Sequence, residues 1–180
     1  MSLTIKKILN SIKDIYSNIT NINSSISTIN SNITNLQEKN IVTLSLHSNF
    51  TVQTTNEYLP LNLELDTKIG NKLSLENGGI KIGSGVSKIL VSAQLTFESK
   101  STRNTHVRIA KNNNSSTDSV LAWQYRNFSN GDVGNLTVST VLVNVQEGDL
   151  LNLYYYCAAG DIINGNAFGK RTNMTVMVVE

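Results

Sequence analysis

The sequence predicts two different structures in one chain: a parallel, three-stranded coiled coil over residues 1–37 and an all-β jelly-roll sandwich over residues 42–180. Three observations lead to this division. A seven-residue repeat of branched aliphatic residues fills the amino-terminal part. After residue 40 the period changes to an alternation of apolar and polar residues, and turn clusters of Gly, Asn and Asp separate these short segments. Residues 38–41 are predicted to form a hinge between the two parts.

The apolar residues of the first part are spaced alternately by three and four, which averages 3.5 residues per turn and indicates a left-handed supercoil. Isoleucine at both a and d positions favours three or four strands over two, and we expect a trimer. Over residues 5–36 the rod would be about 48 Å long at a rise of about 1.5 Å per residue. The residues expected to form its seam are Ile5, Ile8, Ile12, Ile15, Ile19, Ile22, Ile26, Ile29, Ile33 and Leu36.

The residues between these isoleucines make partner packing necessary. From Ile15 to Gln37 there is no charged residue, and the spacers are mostly Asn, Ser and Thr. These residues are mediocre helix formers, because their short polar side chains compete for backbone hydrogen bonds. An isolated helix of this kind is not expected to be stable in water. The same polar spacers argue against a membrane span, which needs about 20 consecutive apolar residues.

Composition excludes several classes of function. The net charge of +2 and the charged fraction of 16% create no strong field for nucleic acid or an anionic membrane. The single cysteine, Cys157, excludes an internal disulfide framework, and we expect a buried thiol within a strand. The amino terminus lacks the apolar stretch of a secretory signal. An extracellular location is therefore expected by another route, such as release within an assembled particle.

One predicted strand is apolar on both of its faces. In the segment 150–156, we expect Leu151, Leu153 and Tyr155 to fill the sandwich, which leaves Tyr154 and Tyr156 on the other side. The reverse parity is the alternative. A strand of a sandwich that faces water on its outer side alternates more cleanly than this. The pattern therefore predicts that a second subunit covers the outer side, with Tyr154 and Tyr156 at the subunit contact.

Two runs carry a family resemblance. Residues 75–93, which contain the Asn77-Gly78-Gly79 turn, resemble the Gly-rich turn and long strand of tumour-necrosis-factor-like (TNF-like) jelly rolls, a group that includes complement globular heads. Residues 138–153 resemble the strand, Gly-Asp turn and strand of that family, with Glu147-Gly148-Asp149 as the most specific element. The last run, 174–179, matches the family's final strand in position but lacks its usual aromatic residues and Gly. The resemblance implies a compact trimer whose inner sheets pack around a threefold axis.

No set of residues points to catalysis. His47 and His106 stand apart from other potential metal ligands, and the aspartates are scattered among turns, where Asp commonly bonds to the backbone. We therefore expect no enzymatic activity, no cofactor and no metal site within one chain. Symmetry could still gather three copies of one aspartate on the axis of a trimer.

Binding is the remaining function, and the loops at 99–104, 111–119, 123–133 and 160–171 carry aromatic and basic residues suited to a saccharide or a protein. Trp123 is interpreted as a core residue of a strand. The residues expected to bind a ligand are Arg103, Lys111, Tyr125, Arg126, Phe128 and Arg171.

A parallel stalk followed by a jelly-roll head also resembles many phage fibres and baseplate tips. The leading hypothesis is a homotrimeric viral or phage fibre or receptor-binding protein on the virion surface, whose head attaches to a host-surface glycan or protein. Its amino-terminal end would join other virion proteins. One alternative is a virion decoration that binds nothing, such as a head fibre or baseplate structural protein. The other is a bacterial adhesin or TNF-like ligand that is secreted or held at the cell surface.

Overall fold

The computed structural model describes residues 3–37, 39–54, 58–112, 120–165 and 172–180. The chain divides into two compact units, Met1–Glu38 and Lys39–Glu180. We refer to the second unit as the head.

The first unit contains one helix, α1, at Leu3–Gln37. Its isoleucine stripe is exposed, and the exposed fraction of these side chains runs from 44% at Ile33 to 57% at Ile22. Several spacer hydroxyls bond back to the helix, as when Thr20 Oγ1 donates to the carbonyl of Tyr16 at 3.0 Å. Such bonds do not favour the helix over other conformations. Among the described residues, no helix is long and apolar enough to cross a membrane.

The head is built from antiparallel strands joined mostly by short turns. Their bounds are β1 (Ile41–Ser45), β2 (Phe50–Thr51), β3 (Leu59–Pro60), β4 (Glu64–Ile69), β5 (Leu73–Glu76), β6 (Gly79–Ile82), β7 (Lys88–Glu98), β8 (Arg103–Lys111), β9 (Val120–Phe128), β10 (Val133–Asn144), β11 (Leu150–Tyr156), β12 (Ile162–Ile163) and β13 (Asn173–Val178).

These strands form two sheets. Sheet I has the order β2-β12-β7-β13-β1-β4, with β10 also paired to β7. Sheet II has the order β5-β6-β11-β8-β9, with β3 also paired to β11. The predicted all-β sandwich is confirmed. Strand β1 begins at Ile41, which was predicted to be the last residue of the hinge.

The core lies between the two sheets and follows the alternation of the longest strands. On β7, the alternate residues from Ile89 to Phe97 are buried. On β11, Leu151, Leu153 and Tyr155 enter the core, as the sequence predicted. Cys157 is also buried, and burial together with the nearby Asp161 carboxylate raises the pKa of its thiol far above the ordinary value. The predicted burial of the thiol is confirmed, but β11 ends one residue before Cys157, so its place within a strand is not.

Two turns show how local sequence sets the strand pairing. Asn77 and Gly78 link β5 to β6, and both have positive φ, at 49° and 71°. This is the backbone of a two-residue type I′ hairpin, for which Asn-Gly is a favoured pair. Before β11, the buried Asp149 carboxylate accepts a hydrogen bond from the N–H of Gln146 at 3.0 Å, which closes the Gln146–Asp149 turn.

The strands depart from the sequence pattern in two places. Leu61, Leu63 and Leu65 alternate with polar residues as in a strand, but Leu61 and Leu63 are buried outside any strand, and β4 begins at Glu64. The outer side of β11 at Tyr154 is already covered within the same chain, whereas a second subunit was predicted to cover it. Tyr154 is only 3% exposed in a single chain, and it lies beside Pro60 of β3. Sequence gives no sign of a two-residue strand such as β3, which explains the error.

Asp161 is expected to be a main contributor to the stability of the head. Its buried carboxylate accepts the N–H groups of Lys100 at 2.7 Å and Ala158 at 2.8 Å. Asp161→Ala should lower the free energy of unfolding by about 3 kcal/mol, because buried donors lose a charged partner. Asp132→Ala is the matched control, since its exposed carboxylate accepts one similar bond from Ser129. Urea unfolding of both variants measures the difference, and equal losses would contradict the assignment.

Candidate functional site

The strand register of sheet II brings aromatic side chains together on its outer surface. Tyr125 of β9, His106 of β8 and Tyr156 of β11 are directly opposite one another across the three strands. In the adjacent row, Trp123 lies opposite Arg108, which in turn lies opposite Tyr154. We call this surface the aromatic face and define it by Tyr58, His106, Arg108, Trp123, Tyr125 and Tyr156.

Trp123 and Tyr125 form the exposed half of the aromatic face. Their ring planes differ by only 13°, with centroids 5.4 Å apart. Trp123 remains 56% exposed and Tyr125 remains 55% exposed. Two large rings held parallel on a strand and open to solvent are unusual for an isolated surface, because aromatic burial is a major source of stability. They indicate a surface that contacts something.

Tyr58 organises the other half. Its ring lies 5.1 Å from that of Tyr156, and its hydroxyl is 2.5 Å from Nδ1 of His106. The guanidinium carbon of Arg108 lies 3.4 Å from the centre of the Tyr58 ring, the arrangement of a cation–π contact. His106 is at the centre of the face, because its ring also approaches those of Tyr125 and Trp123.

The electrostatics of the face favour a neutral imidazole beside a fixed positive charge. Burial and the charge of Arg108 together lower the pKa of His106. Burial raises the pKa of the Tyr58 hydroxyl, although Arg108 acts in the opposite direction. At neutral pH, Arg108 therefore provides the charge of the face, while His106 and the tyrosines provide neutral hydrogen-bonding groups.

A cleft of about 390 Å³ opens beside these residues, lined by His106, Arg108, Val120 and Trp123. Nε of Arg108 is buried there without a hydrogen-bond partner among the described residues. Arg108 takes part in none of the ion pairs found among the described residues. No three His, Cys, Asp or Glu side chains of the described residues come together in a way that could hold a metal ion.

The structure separates the residues predicted to bind a ligand. Tyr125 is on the aromatic face, but its neighbour Arg126 projects from the other side of β9, where it lies 5.3 Å from the Phe128 ring. Phe128 is a core residue, only 5% exposed and in edge-to-face contact with Phe97, so it offers no free ring to a ligand. Arg103 pairs with Phe128 across the strands, away from the aromatic face.

Two further predicted contacts do not join the face. Nζ of Lys111 lies 3.1 Å from the buried carboxylate of Asp149. Burial would raise the pKa of Asp149, but hydrogen bonds from Gln146, Asn112 and Lys111 outweigh it and lower that pKa. Lys111 thus serves the turn before β11. Arg171 lies outside the described residues.

Of the two subunit contacts predicted for β11, that of Tyr154 needs correction. Tyr154 is buried within its own chain and presents almost no surface to a partner. The contact predicted for Tyr156 stays a prediction. Its side chain is part of the aromatic face, with its ring 5.0 Å from that of His106.

Sequence reasoning missed Trp123 because the alternation on β9 is misleading. The large apolar residues of this edge strand point outward, while Gln124 points toward β10, where its Oε1 accepts the N–H of Thr137 at 2.6 Å. The interpretation of Trp123 as a core residue is therefore wrong. Tyr58 precedes β3, His106 and Arg108 lie on β8, and Trp123 lies on β9, so the face combines segments that are distant in the sequence.

Sheet I has a different outer surface, which carries one apolar row across five strands. Ile69 of β4, Ile41 of β1, Met177 of β13, Leu90 of β7 and Leu142 of β10 are successive cross-strand neighbours. We call this set the apolar row. Leu142 is 59% exposed. The next row is polar and includes the hydrogen-bonded pair Thr43 and Thr175.

Solved structures with the same arrangement of strands are TNF-family proteins. Murine APRIL matches with a TM-score of 0.61 and 10% identity, over 78% of this chain and 99% of that one. Eiger TNF from S. frugiperda matches with a TM-score of 0.60 and 8% identity, over 80% of this chain and 94% of that one. The head has a TNF-like fold. No protein-family model and no curated protein matches the sequence.

The TNF-like head thus confirms the fold implied by the Gly-rich run and the Gly-Asp turn. The order β4-β1-β13-β7-β10 contains the apolar row, and β6-β11-β8-β9 contains the aromatic face. The two surfaces are on opposite sides of the sandwich, because each is the side of its sheet that faces away from the common core.

Acidification is expected to destabilise the TNF-like head through His106. Its folded pKa lies below the ordinary value of 6.5, so the unfolded chain binds the proton first as pH falls. The stability due to neutral His106 is therefore complete above 6.5 and is lost as pH falls through the folded pKa. His106→Asn should reduce the loss measured by urea unfolding between about pH 7 and pH 5.

His47→Asn is the matched control, because His47 lies beside Glu64 and outside the aromatic face. The change that it produces in the pH dependence of unfolding is the background against which the effect of His106→Asn is measured. The assignment is wrong if His106→Asn leaves that dependence unchanged.

Proposed function

We propose that the chain forms a homotrimer that attaches a particle to a host surface, with α1 as the parallel coiled-coil stalk and the TNF-like head as the attachment domain. The observation that carries this proposal is the exposed isoleucine stripe of α1. Three copies would bury it along one seam, which a seven-residue repeat with isoleucine at a and d favours.

The stripe alone stabilises the helix in this proposal. Its spacers contribute little, because they are mostly poor helix formers without charge pairs. An isolated helix of this length gains little from hydrogen bonds that water can replace, so burial of the isoleucines must supply most of the free energy.

The apolar row supports a second contact between subunits, within the heads. It is five strands wide and aliphatic, and Ile41 begins β1 only a few residues after α1 ends. Packing of these rows around a threefold axis would hold the three heads together, which would help to fix the register of a coil without charged pairs to define it. The aromatic face, on the opposite side of the sandwich, would then point away from the axis.

A location on the surface of a virion or particle fits this arrangement. The stalk would join the particle through its amino-terminal end and hold three aromatic faces outward. Three equivalent sites raise avidity without new contacts, because the second and third binding events become intramolecular.

The trimer is tested by the solution mass of the full chain. Light scattering should give three times the chain mass of 19.7 kDa. Ile19→Lys with Ile26→Lys should produce monomers, because six ammonium groups would be buried at the seam without partners. Ser17→Lys with Ser24→Lys adds the same charge on the outer side of the helix and should leave the mass unchanged. A monomeric unmodified chain, or loss of the trimer in the control, would contradict the proposal.

The head contact is tested at Leu142. In the full chain, Leu142→Glu should lower the stability of the trimer by about 3 kcal/mol per subunit, because the carboxylate would enter an apolar contact. Leu75→Glu is the control: Leu75 is also an exposed leucine, at 42%, but it lies on β5 of sheet II. Dissociation is followed by sedimentation in increasing urea. Equal effects of both changes would exclude the apolar row from the interface.

Attachment is tested by flow cytometry of the labelled trimer on a panel of bacterial and animal cells. The trimer should remain bound through washing at concentrations at which the Ile19→Lys, Ile26→Lys monomer is lost, by roughly 100-fold in apparent affinity. A trimer that binds no cell surface would instead favour a decoration that only caps or braces the particle.

A further inference from the structure

We infer that the aromatic face binds an acidic saccharide, with the sugar ring against Trp123 and Tyr125 and the sugar carboxylate at Arg108. This inference rests on the proposed attachment function and names the class of ligand for it.

The exposed rings provide the apolar part of the site. Trp123 and Tyr125 are nearly parallel and more than half exposed, and β8 fixes the strand that carries them through pairing along its whole length. Their positions are therefore set before a ligand arrives. A pyranose ring has one face of C–H groups and an edge of hydroxyls, and aromatic rings with polar neighbours match both parts.

The charge of the face selects for an acid. Arg108 is held over the Tyr58 ring and lines the cleft, and its buried Nε is unpaired among the described residues. Two lysines in this part of the chain have carboxylate partners instead: Lys111 has Asp149, and Lys81 has Glu76. A planar guanidinium without such a partner is suited to a carboxylate, which it can bind through two parallel hydrogen bonds.

Neutral donors and acceptors surround this charge. His106 is uncharged at neutral pH because of burial and Arg108, and the hydroxyl of Tyr58 is beside its Nδ1. Sugar hydroxyls require such neutral groups, which can donate or accept. The cleft of about 390 Å³ is within the size range of small-molecule sites, of about 300–1,000 Å³.

The composition of the face favours a saccharide over another copy of the chain. The apolar row, made of Ile, Leu and Met, has the aliphatic character of a subunit contact. The aromatic face instead combines two open rings with an arginine, a histidine and tyrosine hydroxyls. A second copy seated there would have to supply a carboxylate for each Arg108, and the described part of the aromatic face contains none.

The single tryptophan makes the site directly measurable, because Trp123 is the only tryptophan in the chain. Titration of the full-length protein with 3′-sialyllactose should shift its emission to shorter wavelength and protect it from acrylamide quenching. Lactose, which is the same sugar without the acidic residue, should produce neither change at equal concentration. An array of glycans bearing sialic acid, uronic acid, sulfate or only neutral sugars shows which acid is preferred.

Substitutions at the face test the two parts of the site separately. Arg108→Gln should weaken binding of the carboxylated sugar at least tenfold, which corresponds to about 1.4 kcal/mol, the lower range for a hydrogen bond to a charged group. Tyr125→Ala should weaken it by a similar factor. Leu75→Ala, an exposed leucine of the same sheet outside the face, should change nothing. Circular dichroism and solution mass must match the unmodified chain in each variant.

The outcomes separate this inference from the function on which it rests. It is overturned if no carboxylated glycan is preferred over its neutral counterpart, or if Arg108→Gln and Tyr125→Ala bind as well as the unmodified chain. If trimers bind cells and these two substitutions have no effect, attachment stands and the saccharide site falls. If the chain proves monomeric, the trimer falls, while the fluorescence titration still decides whether the face binds an acidic sugar.

Discussion

The exposed isoleucines of α1 are the constraint on which the molecule depends. Each isoleucine costs free energy while it faces water. The described residues of the buried core all belong to the head, so that core forms without α1. The helix has few other sources of stability, since serine and threonine hydroxyls bond to its own carbonyl groups and the central region has no ion pairs. Helix formation and association are therefore a single event in the proposed trimer, and the head remains a separate folding unit.

The proposal gives each outer surface of the head a different contact: the apolar row meets other subunits, and the aromatic face meets the ligand. Register determines this division, since β7 places Leu90 in the apolar row and sends its two neighbours into the core. On sheet II, the same two-residue period sends Val107 into the core and leaves His106 and Arg108 outside. A shift by one residue in either sheet would exchange core and surface, so both surfaces are fixed by the packing between them.

Much of the fold could be predicted because it follows from local pattern. The repeat of α1, the alternation from Ile89 to Phe97 and the Asn77-Gly78 turn each specify their own structure. On β11, which is apolar on both faces, Leu151, Leu153 and Tyr155 do enter the core, but the pattern alone did not exclude the reverse assignment. The Gly-Asp turn carried the family resemblance because Asp149 closes that turn through the N–H of Gln146.

The candidate site could not be predicted because it has no local pattern. Tyr58 precedes β3, His106 and Arg108 belong to β8, and Trp123 belongs to β9. The loops that seemed suited to binding also held residues with structural tasks, such as Phe128 against Phe97 and Lys111 beside Asp149. On the edge strand β9, large apolar residues lie on the outer side and a polar residue lies on the inner side, the opposite of the usual pattern. This reversal becomes visible only from the long-range strand pairing.

The buried sulfur of Cys157 has a consequence for durability. A thiol that holds its proton so firmly cannot become the nucleophile in disulfide exchange, and its enclosure keeps oxidants away. A chain moved from reducing to oxidising conditions would therefore keep Cys157 as a free thiol. Neither accidental cross-links between neighbouring copies nor sulfenic acid damage should accumulate during long storage.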